Sequence, residues 1–223
     1  GFRALVIAPT RVLADQIARD FQNLCKGKDW RVIVNTSTKN LTKIKEKIKS
    51  KRQDILIATP KWLTAMLKDG SLDLSNVQRL VMDEADRLFE LGFLEQIDEI
   101  ITACSHTHVV RSLFSATLPF GVEHMAKSFL RDPLRIMIGA RNTGASTIKQ
   151  KLLFTSSEAG KLIAIREQIK SGIQPPVLIF VQSTDRAKQL YNELMFEGIP
   201  IDYIHGLRSS KQTREIVNQF RLG

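Results

Sequence analysis

The chain has 223 residues, 43 % of them apolar, and a net charge of +10 with His neutral. That length allows one large domain or two small ones, and the apolar content excludes a disordered tail. The positive excess favours a polyanionic partner, because phosphates release counterions when Lys or Arg approach, and no apolar run approaches the length of a bilayer span.

The first predicted element is a strand, Ala4-Leu5-Val6-Ile7-Ala8, which closes on Pro9-Thr10-Arg11. A helix follows over 13–24, with Leu13, Ile17, Phe21 and Leu24 on one face. Cys25 stands just after it; the other cysteine, Cys104, is far off and neither has metal-type spacing, so both read as reduced thiols. A second strand is expected at 32–35. Lys39, Lys43, Lys45, Lys47, Lys49, Lys51 and Arg52 then crowd one stretch, offset by Glu46 and Asp54. With Leu41, Ile44 and Ile48 at helical spacing, this reads as a solvated basic helix face, from which a few lysines reach a nucleic-acid backbone.

A third strand at 55–59 ends in Thr59-Pro60, and a fourth at 80–83 runs Leu80-Val81-Met82 into Asp83-Glu84-Ala85-Asp86. A helix near 95–103 follows. His106, His108, His124 and His205 are too scattered for a metal site. A strand at 111–115 then carries Leu113-Phe114 into Ser115-Ala116-Thr117. Strands alternating with helices imply a parallel sheet with right-handed crossovers. Residues 139–147, Gly-Ala-Arg-Asn-Thr-Gly-Ala-Ser-Thr, lack core periodicity and read as a linker. The pattern then restarts, with strands expected at 151–155, 177–181 and 201–205 and helices at 158–171, 185–197 and 209–221. Three strands make a thin sheet with an unpaired edge, so the second lobe reads as incomplete. The division is therefore a lobe over 1–138, a linker over 139–147 and the start of a second lobe over 148–223.

Asp83, Glu84 and Asp86 stand within four residues at the carboxyl end of a strand, where ligands bind in open α/β sheets. Mutually repelling acids there suit a magnesium ion on a nucleotide phosphate. An acidic first helical turn favoured by the helix dipole is the other reading. Their company decides. Pro9-Thr10-Arg11, Thr59-Pro60, Asp83-Glu84-Ala85-Asp86 and Ser115-Ala116-Thr117 each end an apolar run, on one rim. With Arg87-Leu88-Phe89-Glu90-Leu91-Gly92-Phe93 and the later Val177-Leu178-Ile179-Phe180-Val181-Gln182-Ser183, their order resembles the DEAD-box ATP-dependent RNA helicases.

The resemblance implies a fold, α/β with two RecA-like parallel-sheet lobes of the P-loop NTPase type, both incomplete here. It implies ATP and Mg2+ as cofactors and RNA as partner, contacted through its backbone with little sequence specificity. Asp83 would hold the magnesium ion through water and Glu84 would position the attacking water; Asp86 would pair with Ser115 and Thr117. Pro9, Thr10, Arg11, Thr59, Pro60, Lys61, Gln182 and Ser183 would line the RNA. Without the acids nearby, Ser115-Ala116-Thr117 would read as a helix N-cap or tight turn, and the prolines as strand-to-helix punctuation.

The chain also departs from the family. Val12 stands where Glu is usual, and Lys61 and Trp62 replace Gly and Arg. Residues 35–40 stand where a glycine pair is expected. His205-Gly206 and Phe220-Arg221-Leu222-Gly223 fit the spacing, but Arg214 falls one residue late, with Thr213 in its place, a turn of about 100° on a helix. No Gly-x-x-x-x-Gly-Lys-Ser/Thr phosphate loop occurs in these residues. The chain is therefore expected to be the interior of a longer protein and to be inactive as an ATPase alone. The alternative is a non-enzymatic RNA-binding or scaffold protein on the same fold; an unrelated doubly wound metabolic enzyme fails because no dinucleotide fingerprint follows a strand. Ile138-Gly139-Ala140-Arg141-Asn142, Glu158-Ala159-Gly160-Lys161-Leu162 and the run 174–183 resemble the nucleolar subfamily acting in small-subunit rRNA processing. That implies pre-rRNA, a ribosome-assembly protein cofactor and a nucleolar location in the nucleus, with the cytoplasm as alternative.

Overall fold

The computed structural model describes residues 1–35, 46, 48, 53–138 and 147–222. They form two compact units, Gly1–Ile148 and Lys149–Gly223.

The first unit runs β1 (Ala4–Ile7), α1 (Arg11–Leu24), β2 (Val32–Asn35), β3 (Ile55–Ala58), α2 (Pro60–Lys68), β4 (Arg79–Met82), α3 (Ala85–Glu90), α4 (Leu94–Ala103), β5 (Val110–Leu113) and α5 (Phe120–Phe129). The strands pair in the order β2-β3-β1-β4-β5, every neighbour parallel. β3 is buried at all four positions and β1 at three of four, which is why both read as continuous apolar runs: a central parallel strand is covered on both faces.

Alternate residues feed two cores. Leu5, Ile7, Leu56, Ala58, Leu80 and Met82 meet Trp62, Leu63, Leu88, Ile97, Ile100, Val122 and Phe129, so α2 to α5 share one face. Val6, Ala8, Ile55 and Ile57 meet Ala14 and Ala18 of α1 on the other. Handedness explains the split. The β1-to-β2 connection runs along the sheet opposite to the β3-to-β4 connection, and right-handed crossovers in opposite directions lie on opposite faces. β1 is thus flanked by two strands whose helices leave to the other face, and the crevice this creates opens at its carboxyl end.

Four strand ends fall earlier than the sequence suggests, at Ile7, Ala58, Met82 and Leu113, which leaves Ala8, Thr59, Asp83 and Ser115 beyond the strands. Ile48 is helical and packs on the larger core. Lys39, Lys43, Lys45, Lys47, Lys49, Lys51, Arg52, Leu41 and Ile44, and residues 139–146 of the expected linker, lie outside the described residues. Both cysteines are free thiols. Burial pushes the Cys104 thiol up to about 12, with the Arg111 guanidinium pulling the other way.

The second unit holds α6 (Glu158–Lys170), α7 (Thr184–Met195) and α8 (Ser210–Leu222), close to the expected helices. The strands expected at 151–155, 177–181 and 201–205 do not form among the described residues. Leu152, Phe154, Leu178 and Phe180 are exposed, and an uncovered parallel strand lacks the burial that repays its ordering. Leu190 and Leu194 of α7 are the buried apolar residues of this unit. Arg166 pairs with Glu197, tying α6 to the turn after α7. Tyr203 packs 4.9 Å from the Tyr191 ring and carries the Arg208 guanidinium 4.2 Å from its centre.

Candidate functional site

The strand register sets the site. Asn35, Ala58, Ile7, Met82 and Leu113 stand opposite one another across the sheet, so the residues after them leave on a single rim. Thr59 and Asp83 follow the two strands flanking β1, two strand intervals or roughly 10 Å apart.

At the centre of the rim the chain turns sharply out of β4. The Asp83 amide donates to the Ile7 carbonyl at 3.0 Å, still in register with β1. The Asp83 carboxylate then accepts from the Glu84 amide at 3.0 Å. Glu84 takes a left-handed conformation, φ 47° and ψ 55°, at the cap of α3, with no side-chain capping bond. That conformation costs a non-glycine residue about 1 kcal/mol or more, a strain typical of functional turns. Its result is local: the Ala85 amide reaches the Phe114 carbonyl at 3.0 Å, and the Asp86 amide reaches the Ser115 hydroxyl at 3.1 Å.

Asp86 is the hub. One carboxylate oxygen accepts from the Thr117 hydroxyl at 2.7 Å and the Thr117 amide at 3.0 Å; the other accepts from the Arg87 amide at 3.1 Å. The Ser115 hydroxyl donates to the Thr117 carbonyl at 2.7 Å, closing the loop. Partial burial pushes the Asp86 carboxyl up; the Thr117 hydroxyl and amide, the Ser115 hydroxyl and the Arg87 amide outweigh it and hold the group below its usual range. Ser115 and Thr117 therefore do not cap the helix that follows them: α5 begins later, behind Pro119, and the Ser115 hydroxyl serves a first-turn amide of α3 instead.

On the other side of β1, Thr10 caps α1 by accepting from the Leu13 amide at 3.2 Å, which leaves its proton free to donate outward. Pro9 is buried and Arg11 exposed. Thr59 stands before α2 without a capping bond, and Pro60 fills the first helical position. Lys61 is exposed, its ammonium 5.8 Å from the centre of the Phe93 ring. Trp62 is buried at 1 % exposure, so the residue standing in place of the family's Arg fills the core instead of facing the rim. In the second unit Gln182 is exposed, and Ser183 caps α7 by accepting from the Arg186 amide at 3.1 Å.

Two rim-side residues escape sequence reasoning. Asn35 is buried with its amide nitrogen unpartnered among the described residues; beyond opening the 35–40 stretch, its signal is being the polar residue on the buried face of β2. Gly121 sits against Phe89, a contact between residues far apart in the chain.

No three His, Cys, Asp or Glu side chains gather into a metal cage among the described residues. Asp83 keeps carboxylate capacity beyond its bond to Glu84. One such carboxylate suits an ion that carries most of its shell as water and phosphate oxygens, as magnesium does.

Residues 1–125 match the family described as DEAD/DEAH box helicase, and residues 160–223 match the helicase conserved C-terminal domain. The ATP-dependent RNA helicase ROK1 of Scheffersomyces stipitis is 44 % identical over 224 residues, taking in 100 % of this chain and 40 % of that protein. The probable ATP-dependent RNA helicase DDX52 of Mus musculus is 45 % identical over 229 residues, taking in 100 % of this chain and 38 % of that protein. The chain thus spans about two fifths of these relatives. A crystallised DEAD box protein from Methanococcus jannaschii superposes with a TM-score of 0.59 at 26 % identity, covering 100 % of this chain and 59 % of that one. The yeast DEAD-box splicing factor Prp28 gives a TM-score of 0.59 at 28 % identity, covering 100 % and 51 %.

Proposed function

Because this chain belongs to the DEAD/DEAH box helicase family, we propose that the protein containing it couples ATP hydrolysis to local opening of RNA duplexes, acting on pre-rRNA during ribosome biogenesis. The observation that carries the reading is the Asp86–Thr117 link. Both partners stand beside the strained Glu84 turn, so a change at the acids reaches the segment after β5 through two hydrogen bonds.

In this reading Asp83 would hold magnesium through water, and Glu84 would orient the water that attacks the terminal phosphate. A bound magnesium ion would supply neutralisation of charge on the phosphate oxygens. Asp86, Ser115 and Thr117 tie that turn to the RNA side. Thr10, Arg11, Thr59 and Lys61, set by Pro9 and Pro60, contact the phosphodiester backbone, with Gln182 and Ser183 contributing from the second lobe. Such contacts read backbone and shape, so sequence preference is slight. The lobes divide at the linker, as 1–138, 139–147 and 148–223. The subfamily strings at 138–142 and 174–183 support a nucleolar location and a ribosome-assembly protein as cofactor.

A chimera tests this: these residues replace the matched segment of the Scheffersomyces stipitis helicase. RNA-stimulated, magnesium-dependent ATP hydrolysis and strand separation are expected, both lost on Glu84→Gln. RNA binding with no hydrolysis would instead favour the scaffold reading. A tagged chimera that accumulates only in the cytoplasm would refute the nucleolar part.

A further inference from the structure

We propose that Gly121 is a positioning residue for the Asp86–Thr117 contact, acting through the Phe89 ring. Gly121 lies in the first turn of α5, where glycine is a weaker helix former than alanine. Its backbone is not left-handed, so the chain path does not demand glycine there. The neighbour does. A Cβ on residue 121 would stand 2.2 Å from Phe89 Cζ and 2.8 Å from both Cε atoms. The tip of the Phe89 ring therefore rests on the bare α-carbon.

The two segments in this contact are those joined by the acid hub. Phe89 follows Asp86 by three residues on α3, less than one helical turn. Gly121 follows Thr117 by four residues, across Leu118-Pro119-Phe120. The ring seat and the Asp86–Thr117 bonds are thus two adjacent tethers between one pair of segments. A methyl group at 121 needs about 1.2 Å more room to reach ordinary contact at 3.4 Å. Carried along to Thr117, a displacement of that size takes the 2.7 Å and 3.0 Å bonds past hydrogen-bond reach. Phe89 is half-buried and packs against the larger core, which limits how far its ring can retreat. Gly121 sets the distance at which Thr117 can meet Asp86. The functional consequence rests on the coupling proposed above; the placement does not.

The test is nuclear magnetic resonance of the 223-residue chain, reading the Thr117 amide proton. In the parent chain its bond to the Asp86 carboxylate gives a downfield resonance and slowed solvent exchange. Gly121→Ala should abolish both, while the Asp83 amide, bonded to Ile7, keeps its protection. Phe89→Leu in the Gly121→Ala background removes the outer ring atoms and should restore the Thr117 signature. A parent-like Thr117 amide in Gly121→Ala overturns the proposal. So does a double variant that fails to fold, or folds without regaining the signature, because the space it needs has then been provided. If the chimera hydrolyses no ATP but the Thr117 signature responds as stated, the helicase reading fails and the positioning role of Gly121 stands.

Discussion

Glu84 sits in a conformation that only glycine adopts without cost, so Glu84→Gly should raise stability. The left-handed conformation costs an L residue about 1–2 kcal/mol, and glycine returns that strain. Against it, glycine makes the unfolded chain more flexible, a loss of about 0.4–1 kcal/mol. The net gain is about 0.5–1 kcal/mol, or a midpoint rise of roughly 2 °C for a unit of this size. Glu84 is exposed and makes no capping bond, so few other interactions are lost. Removing its charge near the start of α3 costs a few tenths of a kcal/mol. Glu84→Ala carries that same loss but keeps the Cβ and hence the strain, so the Gly-minus-Ala difference isolates the backbone. The chain's 2 tryptophans, Trp30 and Trp62, both lie in the first unit, so thermal unfolding followed by tryptophan fluorescence reports on that unit alone. Glu84→Gly should melt above both the parent chain and Glu84→Ala, yet abolish ATP hydrolysis in the chimera. A midpoint at or below that of Glu84→Ala would refute the strain argument.

Thr117→Val removes the 2.7 Å hydroxyl bond to Asp86 and keeps the 3.0 Å amide bond, at an exposed site. The expected loss is about 0.5–1.5 kcal/mol in urea unfolding near neutral pH. Because the folded Asp86 carboxyl lies below its ordinary value of 3.8, its contribution is complete above that value and disappears as pH falls through the lowered one. Thr117→Val should therefore shrink the stability gap between pH 6 and pH 3, a range set around the ordinary carboxylate value; an unchanged gap would contradict the hub. Arg11→Ala should weaken single-stranded RNA binding equally for unrelated sequences and lower the salt slope by about one charge equivalent. If joint neutralisation of Lys45, Lys47 and Lys49 abolishes binding while Arg11→Ala and Thr59→Ala leave it intact, the rim is not the RNA surface.

Local information reached a long way in the first unit. Apolar runs ending in small polar clusters mark strands whose ends align in register, so that Thr10, Thr59, Asp83 and Ser115 follow on one rim. The spacing of Leu13, Ile17 and Phe21 marks α1 for the same reason, since burial of one face imposes its period on the sequence; but Leu24, expected on that face, is exposed, and the fully buried residues of the helix are Ala14 and Ala18. In the second unit similar apolar runs formed no strands, since an apolar run records a wish for burial and not the partner that grants it.

Tertiary structure alone decided what depends on residues distant in the chain. Trp62 reads as a rim substitution in a motif, but the rotation of α2 over the sheet turns it into the core. The left-handed backbone at Glu84 has no sequence signature, because glutamate reaches it only when the flanking Asp83–Ile7 and Ala85–Phe114 bonds pull the turn tight. Asp86 meets Thr117 across 31 positions of chain. Phe89 meets Gly121 across a similar distance, and periodicity carries no information about either pair. A repeat in the sequence says which side of an element is buried. Which atom lies on the far side of that contact follows only when the elements have packed.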